Sequence, residues 1–156
     1  MKVNIALLTV TDTRTIDNDK SGGILVNKFK EANHNLIERK ICKDNKDDIV
    51  VILREWLKNE KIDVIITTGG TGLTGRDITP EALNEVAEKH IPGFGEIFRN
   101  ISIKTVGTSA IQSRACAVLS NGKYIFALPG SSGGVTDAWE GILKHQLDIN
   151  HKPCNF

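Results

Sequence analysis

Two rhythms of apolar residues alternate along the chain. Residues 3–10 form a near-continuous apolar run with β-branched members, the pattern of a strand covered on both faces. Ile24, Leu25, Phe29 and Ala32 then recur at helical spacing, and residues 36–41 return to a strand pattern whose Glu38 and Arg39 mark a less buried position. Ile49, Ile52, Leu53, Trp56 and Leu57 form the single stripe of an amphipathic helix behind an Asp-rich start. Residues 62–68 are a second β-branched run, cut off by Gly69-Gly70. Thr79-Pro80 reads as an N-cap followed by proline at the first helical position, with Leu83, Val86, Ala87 and His90 on one face of that helix. Phe94, Ile97, Phe98 and Ile101 make another such stripe after Pro92-Gly93. Asn121-Gly122 between residues 115–119 and 123–128 is a two-residue hairpin signal. Val135, Ala138, Trp139, Ile142 and Leu143 lie on a closing helix.

Strands that alternate with helices predict an α/β fold of three layers, α/β/α, with a mostly parallel sheet and one antiparallel hairpin. With no repeat, linker or low-complexity stretch, residues 1–156 read as a single domain. In such sheets ligands bind beyond the carboxyl ends of the strands. The loops to watch are therefore those after Val10, Thr68 and Leu128.

Composition narrows the chemistry. A chain of 156 residues, 40% hydrophobic and 25% charged, is ordinary for one soluble domain. Its net charge of +1 supplies no general field for nucleic acid or an anionic membrane, so any anion site must be local. Cys42, Cys116 and Cys154 are odd in number and far apart, which argues against a disulfide framework or a zinc ribbon. No secretory pattern opens the sequence and no apolar run approaches the roughly 20 residues of a membrane helix, so the expectation is a cytoplasmic protein. His34, His90, His145 and His151 are scattered, and no Ser/His/Asp or Cys/His arrangement is legible.

Each of the three loops carries candidate binding residues. Thr68-Gly69-Gly70-Thr71-Gly72 follows a buried strand, and its glycines allow a sharp turn that exposes N–H groups to an anion. Residues 70–75 match G-x-G-x-x-G, but no helix can begin before Thr79-Pro80 and the acidic residue expected about 20 positions on is replaced by His90. There is no GK[ST] either. A tight turn without a ligand is the alternative, and the density of glycine and threonine at a strand's carboxyl end weighs against it. Pro129-Gly130-Ser131-Ser132-Gly133-Gly134 leads straight into a helix and is either a second phosphate or carboxylate site or a flexible connection. Thr11, Asp12 and Arg14 follow the first strand and offer hydroxyl, carboxylate and guanidinium groups, although a solvated arginine is the simpler fate for Arg14. Asp44 and Asp77 lie on two neighbouring loops. They could hold Mg²⁺ together with substrate phosphates, or serve only as turn and capping residues.

Residues 67–82, Thr-Thr-Gly-Gly-Thr-Gly-Leu-Thr-Gly-Arg-Asp-Ile-Thr-Pro-Glu-Ala, closely resemble the signature of the MoaB/MogA family, which also includes the G domains of plant and animal molybdenum-insertion proteins. The resemblance continues through residues 93–99, 107–115 and 128–131 in the family's order and spacing. The segment Gln112-Ser113-Arg114 and the closing residues 152–156 resemble the MoaB branch.

The resemblance implies the three-layer fold, a homotrimer or a hexamer of two trimers, and adenylyl transfer from Mg-ATP to the terminal phosphate of molybdopterin. It implies Asp44 and Asp77 as catalytic residues and Mg²⁺ ligands. It further implies Gly69, Gly70, Thr71, Gly72, Pro129, Gly130 and Ser131 around nucleotide and pterin phosphate, with Ser113 and Arg114 on the pterin side; Thr11 and Asp12 of the first loop join them as ligand-binding candidates on their own chemistry. Two other readings stand beside it: a catalytically silent pterin-binding or carrier protein, and an oligomerisation module.

Overall fold

The structure, a computed structural model, describes residues 2–148. The expectations placed on Cys154, His151 and residues 152–156 lie outside the described residues.

Six strands form one sheet in the order β2-β1-β3-β6-β5-β4: β1 Asn4–Val10, β2 Asn35–Cys42, β3 Val64–Thr68, β4 Lys89–His90, β5 Cys116–Ser120 and β6 Lys123–Leu128. β1 pairs in parallel with β2 and β3, and β3 with β6. The hairpin at Asn121-Gly122 runs antiparallel, with both residues at positive φ (48° and 71°) as a two-residue turn of this kind requires. This is the mixed α/β fold that the alternation of patterns implied.

Each face of the sheet carries its own core. Helices α1 (Lys20–Glu31), α4 (Pro92–Val106) and α5 (Ser132–Ala138) cover one face, where Leu25, Phe29, Phe94, Phe98 and Trp139 are buried against Leu7 and Ile66. α5 runs on through a π turn, Trp139–Leu143, into a last helical turn α6, Lys144–Gln146. Helices α2 (Lys46–Lys58) and α3 (Thr79–Val86) cover the other face with Leu53, Trp56 and Leu83 against Leu8 and Ile65. Side chains that alternate along one strand thus enter opposite cores, which is why the central strands read as unbroken apolar runs. β2 sits at an edge. Its Glu38 accepts from the Trp56 indole at 3.0 Å, which gives a buried aromatic its polar partner.

Three local expectations are corrected. Thr79 is the first residue of α3 and not its cap, because its hydroxyl donates to the Gly69 carbonyl at 2.9 Å. Ile78 takes the cap position without a side-chain bond, so Pro80 falls one place later than expected. His90 is not on the α3 face: the helix ends at Val86, and Glu88 N donates to Leu119 O as the chain swings out to add β4 beside β5. Ile97 does not join the buried stripe of α4. It is exposed, as are Ile103 and Val106 further along the helix and Ile111 in the 3₁₀ turn Gly107–Gln112 that follows.

Candidate functional site

The glycine loop after β3 is shaped by contacts that only glycine tolerates. Gly69 has φ 99° and Gly70 φ 71°, a region that L side chains rarely adopt. A Cβ on Gly69 would lie 2.2 Å from Val10 O, and one on Gly70 would lie 2.3 Å from Thr79 Oγ1. The loop therefore passes against the end of β1 and the start of α3 at backbone distance. Gly69 N donates to Leu128 O and Thr79 N to Gly70 O, both at 3.0 Å. The Thr68 hydroxyl donates to Pro129 O at 2.7 Å, which fastens the Pro129-Gly130-Ser131 loop to the glycine loop. Ser131 caps α5, its hydroxyl oxygen accepting from Gly134 N at 3.0 Å.

Two cavities open on either side of this junction, at the carboxyl ends of the parallel strands. The larger, about 660 Å³, is lined by Thr71, Gly72, Ser113 and Pro129 together with Phe98, Ser102, Thr105, Val106, Ser109 and Asp137. The smaller, about 430 Å³, is lined by polar groups: Thr9, Thr11, Arg14, Asp19, Lys20, Ser21, Asp44, Gly69 and Arg76. Gly70, Asp77, Gly130 and Ser131 line both and form the wall between them.

The structure thus draws most of the residues singled out in the sequence to one rim, but two stand apart from the cavity walls. Asp12 ties loops together: its Oδ1 accepts from Asp44 N at 3.1 Å, and its Oδ2 accepts from Arg76 Nε and Nη2 at 2.9 and 2.6 Å. Arg114 is engaged by the glycine loop itself, donating through Nε to Gly72 O and through Nη2 to Asp77 O, each at 2.8 Å, and pairing with Glu81. Arg14 lies at the polar cavity with one long bond, to Asn18 O at 3.4 Å.

The three aspartates are not alike. The hydrogen bonds from Arg76 hold the Asp12 carboxyl below the usual carboxylate range. Burial, and then the charge of Asp12, push Asp44 up. Burial also works to raise Asp77, but the Thr74 hydroxyl (2.7 Å) and amide (2.9 Å) donate to its Oδ2 and prevail, leaving it lowered. Among the described residues no three His, Cys, Asp or Glu stand together as a protein-only metal cage. Asp44 and Asp77 line the same polar cavity, and two carboxylates are the donors a hard cation takes when phosphate oxygens and water complete its shell.

Asp19, Ser21 and Thr9 went unassigned by the sequence reading, which saw only polar residues trailing the first strand. Asp19, 5% exposed, is the N-cap of α1. Its carboxylate accepts from the Thr9 hydroxyl at 2.6 Å, Gly22 N at 3.0 Å and Arg39 Nη2 at 3.2 Å. The available signal was an aspartate just ahead of Ile24 and Leu25, where a helix needs a cap. The far wall of the larger cavity, from Phe98 to Ser109, had no local signal, because only the packing of α4 brings it there.

Known proteins resemble this chain in sequence and in fold. A family model described as "Probable molybdopterin binding domain" matches residues 6–148. The chain is similar to the molybdenum cofactor biosynthesis protein B of Escherichia coli (strain K12), 42% identical over 152 residues that cover 97% of this chain and 89% of that protein. A crystal structure of a molybdenum cofactor biosynthesis protein B superposes with a TM-score of 0.90 at 39% identity, covering 98% of each chain. The tungsten cofactor synthesizing protein MoaB from Pyrococcus furiosus superposes with a TM-score of 0.84 at 32% identity, covering 97% of this chain and 96% of that one.

Proposed function

The chain belongs to the molybdopterin-binding domain family of molybdenum cofactor biosynthesis, and from that premise we propose that it binds molybdopterin and transfers an adenylyl group to it from Mg-ATP. The observation that carries this reading is the wall common to the two cavities. Gly70, Asp77, Gly130 and Ser131 stand where two phosphate-bearing ligands, one in each cavity, would bring their phosphates together.

In the proposed reaction an oxygen of the pterin's terminal phosphate attacks the α-phosphorus of ATP, a P–O bond forms there, and the bond to the β-phosphate oxygen breaks to release pyrophosphate. The nucleophile belongs to the substrate, so the protein's task is in-line placement and neutralisation of charge. Glycine backbone at the wall carries no Cβ to keep phosphates from the main chain. Lys20, Arg14 and Arg76 line the polar cavity and can meet the triphosphate. Asp44 and Asp77 would hold the magnesium ion that accompanies ATP, and that ion would offset phosphate charge during the transfer. The raised carboxyl of Asp44, facing the charges of Asp12 and Asp77, is a position that a cation would relieve.

The same reading includes a homotrimer or hexamer at work in the cytoplasm. The exposed Ile97, Ile103, Val106 and Ile111 support self-association, and no described helix is long and apolar enough to cross a membrane.

The test is pyrophosphate release and formation of adenylylated pterin by the purified protein given molybdopterin, ATP and Mg²⁺, with Asp77→Ala alongside. Product that falls by at least about a hundredfold in the variant supports the reading. Molybdopterin binding with no product from the wild type would reduce the protein to a pterin-binding member of its family.

A further inference from the structure

Arg114 lies between the 3₁₀ turn and β5, in neither cavity wall, yet it bonds to four residues of the segment that presents Asp77. Its backbone N donates to Thr71 O at 2.8 Å. Its guanidinium donates to Gly72 O through Nε and to Asp77 O through Nη2, both at 2.8 Å. Its remaining donors face the Glu81 carboxylate in the first turn of α3, with Nη1 on Oε1 and Nη2 at 3.4 Å from Oε2.

One side chain therefore pins both ends of an excursion whose middle, residues 73–76, is exposed. The Asp77 carboxylate is meanwhile held from inside the excursion by Thr74. Its aim at the cavity wall depends on where the two ends are fixed. Only a planar fork can donate to two carbonyls of one loop while keeping a carboxylate on its outer edge; a lysine ammonium supplies the charge without that geometry.

We infer that Arg114 and Glu81 form a positioning pair that sets the 72–77 excursion and, through it, the aim of the Asp77 carboxylate. Arg114 then acts through the loop and not on the pterin, and Glu81 gains a role by keeping the guanidinium from swinging toward the phosphates. The kinetic half of the inference rests on the adenylyl-transfer reading; the half that concerns the loop does not.

The experiment compares wild type, Arg114→Lys and Glu81→Gln by amide hydrogen exchange and by steady-state pyrophosphate release with molybdopterin and Mg-ATP. In Arg114→Lys, amides of residues 72–77 should exchange roughly tenfold faster while β1 and β3 keep wild-type rates. kcat should fall at least about tenfold, with KM for molybdopterin changing less than about twofold. Glu81→Gln should shift the same quantities in the same direction by less, and it carries the test alone if the lysine variant fails to fold. Three results would overturn the pairing: unchanged exchange in 72–77, acceleration spread evenly over the sheet, or a raised KM with kcat intact, which would return Arg114 to the ligand. If the wild type releases no pyrophosphate, the adenylyl-transfer reading fails while the exchange data still decide the pairing.

Discussion

Among single residues, Asp44 carries the clearest conflict between stability and use. Its carboxyl is partly withdrawn from water and feels the charges of Asp12 and Asp77, which raises it above its ordinary value. A carboxyl held more tightly protonated in the folded than in the unfolded state imposes no penalty at low pH. The penalty grows as pH climbs past the unfolded value and is complete once pH exceeds the folded one. Asp44→Asn should therefore melt about 1–3 °C higher than wild type at pH 7, with the gap closing toward pH 3.5 in a thermal scan, while losing pyrophosphate release. A variant that melts lower than wild type at pH 7 would show that the carboxylate holds the loops together. Little of this was legible beforehand. The sequence offered Asp44 and Asp77 as magnesium ligands and Asp12 as a binding residue, but spacing records neither the Arg76 bonds on Asp12 nor the Thr74 bonds on Asp77, and those partners decide how each carboxyl behaves.

Elements were easier to read than the residues between them. β1, β3 and β6 are covered on both faces, so unbroken apolar runs betrayed them, and α2 showed its stripe because one side faces water. β4 escaped because two residues, Lys89 and His90, become a strand only through their pairing with Leu119 and Val118. Thr79 was mistaken for a cap because Ser, Thr, Asp and Asn ahead of a helix are usually caps, whereas here the Gly69 carbonyl claims its hydroxyl. That bond couples α3 to the glycine loop, and it yields a prediction. Gly70→Ala should force its new methyl onto the Thr79 hydroxyl in a backbone region hostile to side chains. We expect a loss of about 1–3 kcal/mol in urea unfolding, and molybdopterin binding weakened further than that stability loss explains. Wild-type stability would mean that the start of α3 can shift to make room.

The whole molecule presents an uneven surface. Ile111 is 81% exposed, with Ile103 and Val106 nearby on the preceding helix, an apolar stretch of a kind that monomers seldom leave open to water. Ile111→Asp should lower the mass measured by light scattering toward that of one chain and make the melting temperature depend less on protein concentration. An unchanged mass would assign self-association to another face. The order of the sheet has a different consequence, one of timing. β6 lies between β3 and β5, so β4 and β5 have no place to dock until β6 has been made. Sixty positions separate Thr68 from Leu128. At the usual pace of about 5–20 residues per second, a ribosome needs roughly 3–12 s to cross them. For that interval β3 offers a bare edge to any strand that meets it, including one from a neighbouring nascent chain. The cleft is completed only with Pro129, Gly130 and Ser131, so ligands that need the whole cleft arrive too late to shield that edge in the growing chain.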